Sequence, residues 1–152
     1  RVVSLDSARN RAATRAFLKR ALRSDSHRCE LVYFHHPRWS SGEHGSDPSI
    51  DGIWDTAVAH GVDVVLNGHD HNYERFARLG QGGRSRPDGT RQIVVGTGGA
   101  PLRDLGAPVR GSLERIKRWG VLRMTLRRAS YRWSFRGVLN VKLDAGNTRC
   151  HR

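Results

Sequence analysis

Long apolar runs are missing from this sequence. No stretch approaches the ~18–20 residues that a membrane-crossing helix needs, so no such span is expected. Lysine is scarce as well, and arginine supplies 24 of the 27 basic residues, scattered along the chain rather than gathered in blocks. A formal charge of +13 and a pI near 11.3 ordinarily point to nucleic acid or an acidic surface. Arginine used almost to the exclusion of lysine instead fits a GC-rich coding sequence, which argues against nucleic acid as the partner. There are only two cysteines, Cys29 and Cys150, and their separation excludes zinc-ribbon and redox spacings. Cys29 precedes an apolar strand and reads as a buried free thiol. Cys150 sits in a polar tail, where it hints at a disulfide in an exported protein whose partner need not lie in this chain. Repeats, heptads, low-complexity segments and the Gly-x-x-x-x-Gly-Lys-Ser/Thr phosphate loop are all absent. So is an initiator methionine, and the chain opens almost directly into a strand. It therefore reads as a piece of a longer protein, any signal peptide lying upstream and out of view.

What remains is one domain's worth of sequence: 152 residues, 37% hydrophobic, with 17 glycines. Val2 to Asp6 reads as a short strand, and Asn10 to Arg23 as a helix with Ala13, Phe17, Leu18, Ala21 and Leu22 on one stripe. Asp6 reads as a loop or cap residue entering that helix rather than as a metal ligand. Ser24 to Arg28 is a polar loop in which His27 is a surface residue. A second helix runs from Ser49 to His60, stopped by Gly61, with His60 complementing its dipole. Glu74 to Leu79 and Gln92 to Val95 read as strands flanking a hairpin-like turn at 80–89. Pro101 to Arg118 reads as an irregular basic loop. Trp119 to Arg127 and Ser130 to Val138 alternate apolar and polar side chains, as an antiparallel pair does. Residues 144–152 read as a polar tail after a domain spanning 1–143.

Two stretches carry chemistry. Val62 to Leu66 is a short apolar strand that breaks at Asn67-Gly68 and runs into His69-Asp70-His71. Glu30 to Phe34 is a second strand, ending in His35-His36-Pro37-Arg38-Trp39 and leading on to His44. Neutral imidazole is the commonest metal ligand. Two strands joined by a helix would, in a parallel sheet, bring both histidine groups to one rim. The glycine-rich run Gly96-Thr97-Gly98-Gly99-Ala100 lies after another strand, where it reads as tight backbone packing beside that rim.

His35-His36-Pro37, followed at this separation by Gly68-His69-Asp70-His71-Asn72-Tyr73-Glu74-Arg75, resembles the carboxyl-terminal half of a calcineurin-like metallophosphoesterase. Within that superfamily it is most similar to the purple acid phosphatase branch, from about Val2 to the end of the chain. The resemblance implies an α/β fold: part of an αββα sandwich, with a mixed sheet, flanking helices and a C-terminal antiparallel strand pair. It implies metal-dependent hydrolysis of phosphate esters at a dinuclear centre of Fe, Zn or Mn, in a secreted or extracytoplasmic setting. By the same resemblance His35 and His69 would bind one metal and His71 the other, and His44 would touch the phosphate and protonate the leaving oxygen. His36, Asn72, Tyr73, Glu74 and Arg75 would stand behind the ligands, the last three bracing the histidine loop through hydrogen bonds and an ion pair.

Two departures qualify that expectation. The family often follows the residue matching His44 with a second histidine, and here it is Gly45. The family's Asp-x-x, Gly-Asp-x-x-Tyr and Gly-Asn-His segments, which carry its bridging aspartate, tyrosine and asparagine ligands, do not occur. Histidines without a bridging carboxylate cannot hold two cations close together against their repulsion. The expectation is thus a histidine half-site, weakly active alone, whose partner is the missing amino-terminal half. The competing readings are a basic, non-catalytic module gripping nucleic acid or another polyanion, and an inactive remnant.

Overall fold

The computed structural model describes residues 1–23 and 28–151. The loop expected from Ser24, with His27, lies for the most part outside the described residues. Among the described residues nine strands and two α-helices follow in order: β1 (Val2–Ser4), α1 (Arg11–Ala21), β2 (Leu31–Tyr33), α2 (Asp51–Ala59), β3 (Val64–Asn67), β4 (Tyr73–Leu79), β5 (Thr90–Val95), β6 (Ser112–Ile116), β7 (Gly120–Leu126), β8 (Ser130–Gly137) and β9 (Lys142–Arg149). Six strands form a mixed sheet in the order β1-β2-β3-β5-β4-β6. Its first four strands are parallel, and β4 runs antiparallel to both β5 and β6. The last three make a separate antiparallel sheet, β7-β8-β9.

Alternation along the strands explains the layering, because successive side chains point to opposite faces. Val32, Val65 and Val94 join Leu18, Leu22, Ile53, Trp54 and Ala57 in a core between the mixed sheet and the two helices. Their neighbours Leu31, Val64 and Ile93 face the other way and meet Tyr131, Trp133 and Phe135 of the small sheet. Each central strand is thus apolar on both faces, as a sheet covered on both sides requires. Helix α1 starts at Asn10, whose side chain accepts the Ala13 N–H at 3.0 Å. Asp6 closes the preceding turn on the amides of Ala8 and Arg9. Phe17, expected on the buried stripe, is 46% exposed. Leu18 and Leu22, one turn apart, define the buried line, and Phe17 lies about 100° round the helix from Leu18.

Three expectations need correction. The tail expected at 144–152 is largely strand: β9 pairs with β8 from Arg149 opposite Ser130 to Lys142 opposite Arg136. Its polar pattern misled because β9 is a sheet edge with one face open to solvent, where hydrophobic content is not demanded. The antiparallel pair is therefore a three-stranded sheet. Cys29 is not a free thiol, for it forms a disulfide with Cys150 and ties the entry of β2 to the end of β9. The basic loop expected at 101–118 contains β6, a charged edge strand whose Ser-Leu-Glu-Arg-Ile sequence hides its alternation.

Candidate metal centre

Strands β2 and β3 lie side by side and parallel, with Tyr33 opposite Leu66, so their carboxyl ends open on the same rim. Backbone bonds lock the two loops together: Phe34 N–H to the Leu66 carbonyl at 3.1 Å and Gly68 N–H to the His35 carbonyl at 3.0 Å. The buried Asn67 side chain donates to the carbonyls of Phe34 and His36. His69 then takes a left-handed conformation, φ 65°. This is a sparsely populated backbone state for a residue with a Cβ, and such strain clusters at ligand sites.

The result is a group of imidazoles. The ring nitrogens of His35, His36 and His69 lie within 4.8 Å of one another. Nδ1 of His69 is 3.1 Å from Nε2 of His35, and the His36 and His44 rings pack against His69 with centroids 4.6 and 4.2 Å away. His36 was expected behind the ligands, yet its ring sits inside the cluster, oriented by the buried Ser7 hydroxyl on Nδ1 at 2.9 Å. His71 points elsewhere. Its Nδ1 meets the Pro101 carbonyl at 2.9 Å, which makes Nδ1 the protonated nitrogen and leaves Nε2 with a free lone pair. Partial burial, then the neighbouring His44, His36 and His35, lowers the His69 pKa below its ordinary value. Burial, then His35 and Arg11, lowers that of His36. Both effects favour the neutral ring, which is the form that ligates metals.

Asp70, between the two histidines of the His-x-His pair, went unnoticed in the sequence. It is fully buried. Its Oδ1 accepts both the backbone N–H and Nδ1–H of His44 at 3.0 Å, and its other oxygen takes the Ser40 hydroxyl. The signal was the alternation itself: a residue between two rim histidines must turn inward. Gly42 packs over this carboxylate so closely that a Cβ there would lie 2.4 Å from Cγ of Asp70. Gly96 of the glycine-rich run is equally tight, since its Cβ would fall 2.0 Å from the Asp70 carbonyl oxygen.

The Tyr-Glu-Arg residues act away from the rings. Glu74 is fully buried and accepts from the Ser41 amide and hydroxyl and from the Ser112 hydroxyl, which fixes the loop leading to His44. Tyr73 and Arg75 turn to the opposite face and both bind Asp144 of β9. The expected ion pair therefore bridges the two sheets rather than bracing the histidine loop. Asn72 is buried, and neither polar atom of its side chain has a hydrogen-bond partner.

The donor set suits a metal ion that favours nitrogen. Three imidazoles converging at this spacing match a single catalytic-type ion with a position left open. Two ions are another matter. Among the described residues no carboxylate joins the cluster, and Asp70 already spends its oxygens on Ser40 and His44.

No protein-family model matches the chain. In sequence it is similar to purple acid phosphatase 18 of Arabidopsis thaliana, 38% identical over 72 residues, which are 45% of this chain and 16% of that protein. In structure it is similar to the purple acid phosphatase PPD1 from yellow lupin (Lupinus luteus) seeds, with a TM-score of 0.74 and 20% identity over 87% of this chain and 27% of the other. It also superposes on GAP50, described as the anchor in the inner membrane complex of Plasmodium, with a TM-score of 0.82 and 17% identity over 98% of this chain and 49% of that one. The fold is the one shared by these two solved structures. More narrowly, it resembles purple acid phosphatases, in sequence over the 72 matched residues and in fold over most of its length. The chain spans about one-sixth of the curated relative and between a quarter and a half of these two solved structures.

Proposed function

We propose that this chain supplies the histidine half of a dinuclear centre that hydrolyses phosphate esters. The observation carrying the reading is the convergence of His35, His36 and His69 from two parallel strand ends. His35 and His69 hold one ion, and His71, with Nε2 left free by the Pro101 contact, is a ligand of the second. The bridging carboxylates come from outside these 152 residues, as the missing acidic donors and the partial span of the relatives suggest. When bound, such ions neutralise phosphoryl charge and acidify a water.

The chain's own residues supply the proton. Asp70 takes Nδ1–H of His44 and so leaves Nε2 as the exchangeable position. The protonated His44 ring then donates from Nε2 to the leaving oxygen, while Asp70 holds the tautomer and the angle. The Cys29–Cys150 disulfide fits the secreted or extracytoplasmic setting of this reading.

Metal uptake, measured by calorimetry and elemental analysis with Mn, Zn or Fe, tests the site directly. Hydrolysis of a chromogenic phosphomonoester tests the activity. The expected result is uptake lost in His69→Ala, slow turnover by the chain alone, and faster turnover once the carboxylate-bearing segment is supplied. Absence of any metal uptake would overturn the reading.

A further inference from the structure

The outward face of the small sheet holds a cleft of about 440 Å³ that takes no part in the histidine rim. Its walls follow from strand register. Arg123 stands opposite Ser134 and Ser134 opposite Ala145, and the next rung is Thr125, Arg132 and Asn147. Arg136 stands opposite Lys142. Because Leu122, Met124, Tyr131, Trp133 and Phe135 point into the core between the sheets, alternation sends the four cations and Ser134 outward.

Three observations make this more than a solvated basic face. No Asp or Glu lines the cleft, since Asp144 is turned inward to Arg75. The side chains of Arg123, Arg132 and Lys142 have no hydrogen bond or ion pair with another described residue, and that of Arg136 reaches only the Asn140 side chain and carbonyl. The Ser134 hydroxyl, in the same lining, is buried with no hydrogen-bond partner. Four like charges around one cavity repel one another until an anion enters, and a buried hydroxyl beside them without a partner is unfavourable in its own right.

We propose that this cleft binds a linear chain of phosphate groups, inorganic polyphosphate. Arg132 and Arg136 are four residues apart on one strand, ~13 Å at ~3.3 Å per residue, further than a single phosphate spans. Arg123 and Lys142 flank them on the neighbouring strands. A flexible chain of closely spaced charges meets all four cations at once. Nucleic acid fits less well because single strands rely on stacking bases on aromatic rings. The one aromatic residue here, Trp133, is 7% exposed and lies under the guanidinium groups of Arg75 and Arg91.

The test is binding of medium-chain inorganic polyphosphate to the full chain, in chelator so that metal at the histidine rim contributes nothing. The variant pair Arg123→Ala/Arg132→Ala is compared with Arg84→Ala/Arg110→Ala, which removes the same charge from exposed sites elsewhere. Arg123→Gln/Arg132→Gln, which keeps part of each aliphatic stem, repeats the comparison if the alanine pair melts early. The first pair should weaken binding about tenfold or more and reduce the salt slope by roughly two charges, while the control shifts it about twofold or less. Ser134→Ala should weaken it by a further few-fold. Equal losses in both pairs would reduce the effect to net charge and overturn the proposal. So would a single-stranded oligonucleotide of matched charge binding as tightly, or no polyphosphate binding at all.

Discussion

Two polar clusters built from one stretch of sequence, residues 69–75, behave in opposite ways. At the seam between the sheets, the Asp144 carboxylate accepts from Tyr73 Oη at 2.6 Å, Arg75 at 2.7 and 3.1 Å and Trp133 Nε1 at 3.0 Å, while Tyr73 stacks on Phe135. Burial opposes the Asp144 charge, yet the hydrogen bonds from Arg75, Tyr73 and Trp133 hold its carboxyl below the ordinary value. Burial, and then Asp144 itself, pushes the Tyr73 phenol well up. Donors and acceptor match, and nothing more is needed. At the rim, four imidazoles crowd together, their one carboxylate is buried beneath them, and His69 bears a strained backbone. A cluster that is complete serves stability. One whose basic nitrogens face each other is, on the proposed reading, completed by a cation.

That contrast is most easily broken at the seam. Replacing Asp144 with alanine leaves the Arg75 cation, the Tyr73 hydroxyl and the Trp133 N–H without their acceptor. Losing one partner of a buried pair costs about 3–5 kcal/mol. Urea unfolding should show a loss of that size, and a change under 1 kcal/mol would mean that the seam is held by packing alone. The disulfide comes next. The Cys29→Ser/Cys150→Ser pair should lower stability by about 2–4 kcal/mol, because the link closes a separation of 121 residues. Unaltered melting of the pair would show that strand pairing of β9 and the bond from the His151 N–H to the Asp63 carboxylate already fix that end.

How much of this was legible differs between the two clusters for a physical reason. The rim follows from local pattern: apolar runs give parallel strands, and parallel strands put the histidines that follow them on one edge. His35 and His69 could thus be placed together from sequence, whereas His36 reads as standing behind them and its ring joins them. For Asp70 the alternation carries the inward turn but not the partners, because Ser40 and His44 come from another loop. The seam is non-local. Tyr73 and Arg75 meet a residue 69–71 positions away, on a strand whose polar, half-exposed sequence reads as a tail. The pairing of Cys29 with Cys150 was hidden by the same misreading, since a tail has no fixed position to pair from.

At the rim the comparison predicts a gain where the seam predicts losses. His69 holds φ 65° at a cost that glycine does not bear. His69→Gly should therefore raise the metal-free stability by about 1 kcal/mol, within the range of backbone strain stored at such sites, while removing a ligand that the proposed centre needs. Calorimetric melting in chelator, with metal titration beside it, reads both effects. Stability that falls along with metal uptake would assign His69 a structural role like that of the seam residues.

The smallest effect, and the one that separates the clusters most cleanly, is in pH. His36 and His69 have pKa values lowered from the ordinary 6.5, by burial first and by neighbouring rings next. The unfolded chain therefore binds protons that the folded rim resists. Stability from this source is full above about pH 6.5 and is lost as pH falls through the lowered native values. Asp144 is also lowered, from 3.8, so the seam gives way only in acid below that value. Unfolding free energy followed from pH 7.5 to 2.5 should show two descents, a shallow one beginning near pH 6.5 and a steeper one below 3.8. His69→Asn, which tolerates the left-handed backbone and carries no titrating proton, should reduce the first by the His69 share, leaving that of His36, and leave the second unchanged. If the shallow descent is undiminished in that variant, the crowding of the rings around His69 carries no energetic cost, and the argument that the rim is built to be completed by a cation fails with it.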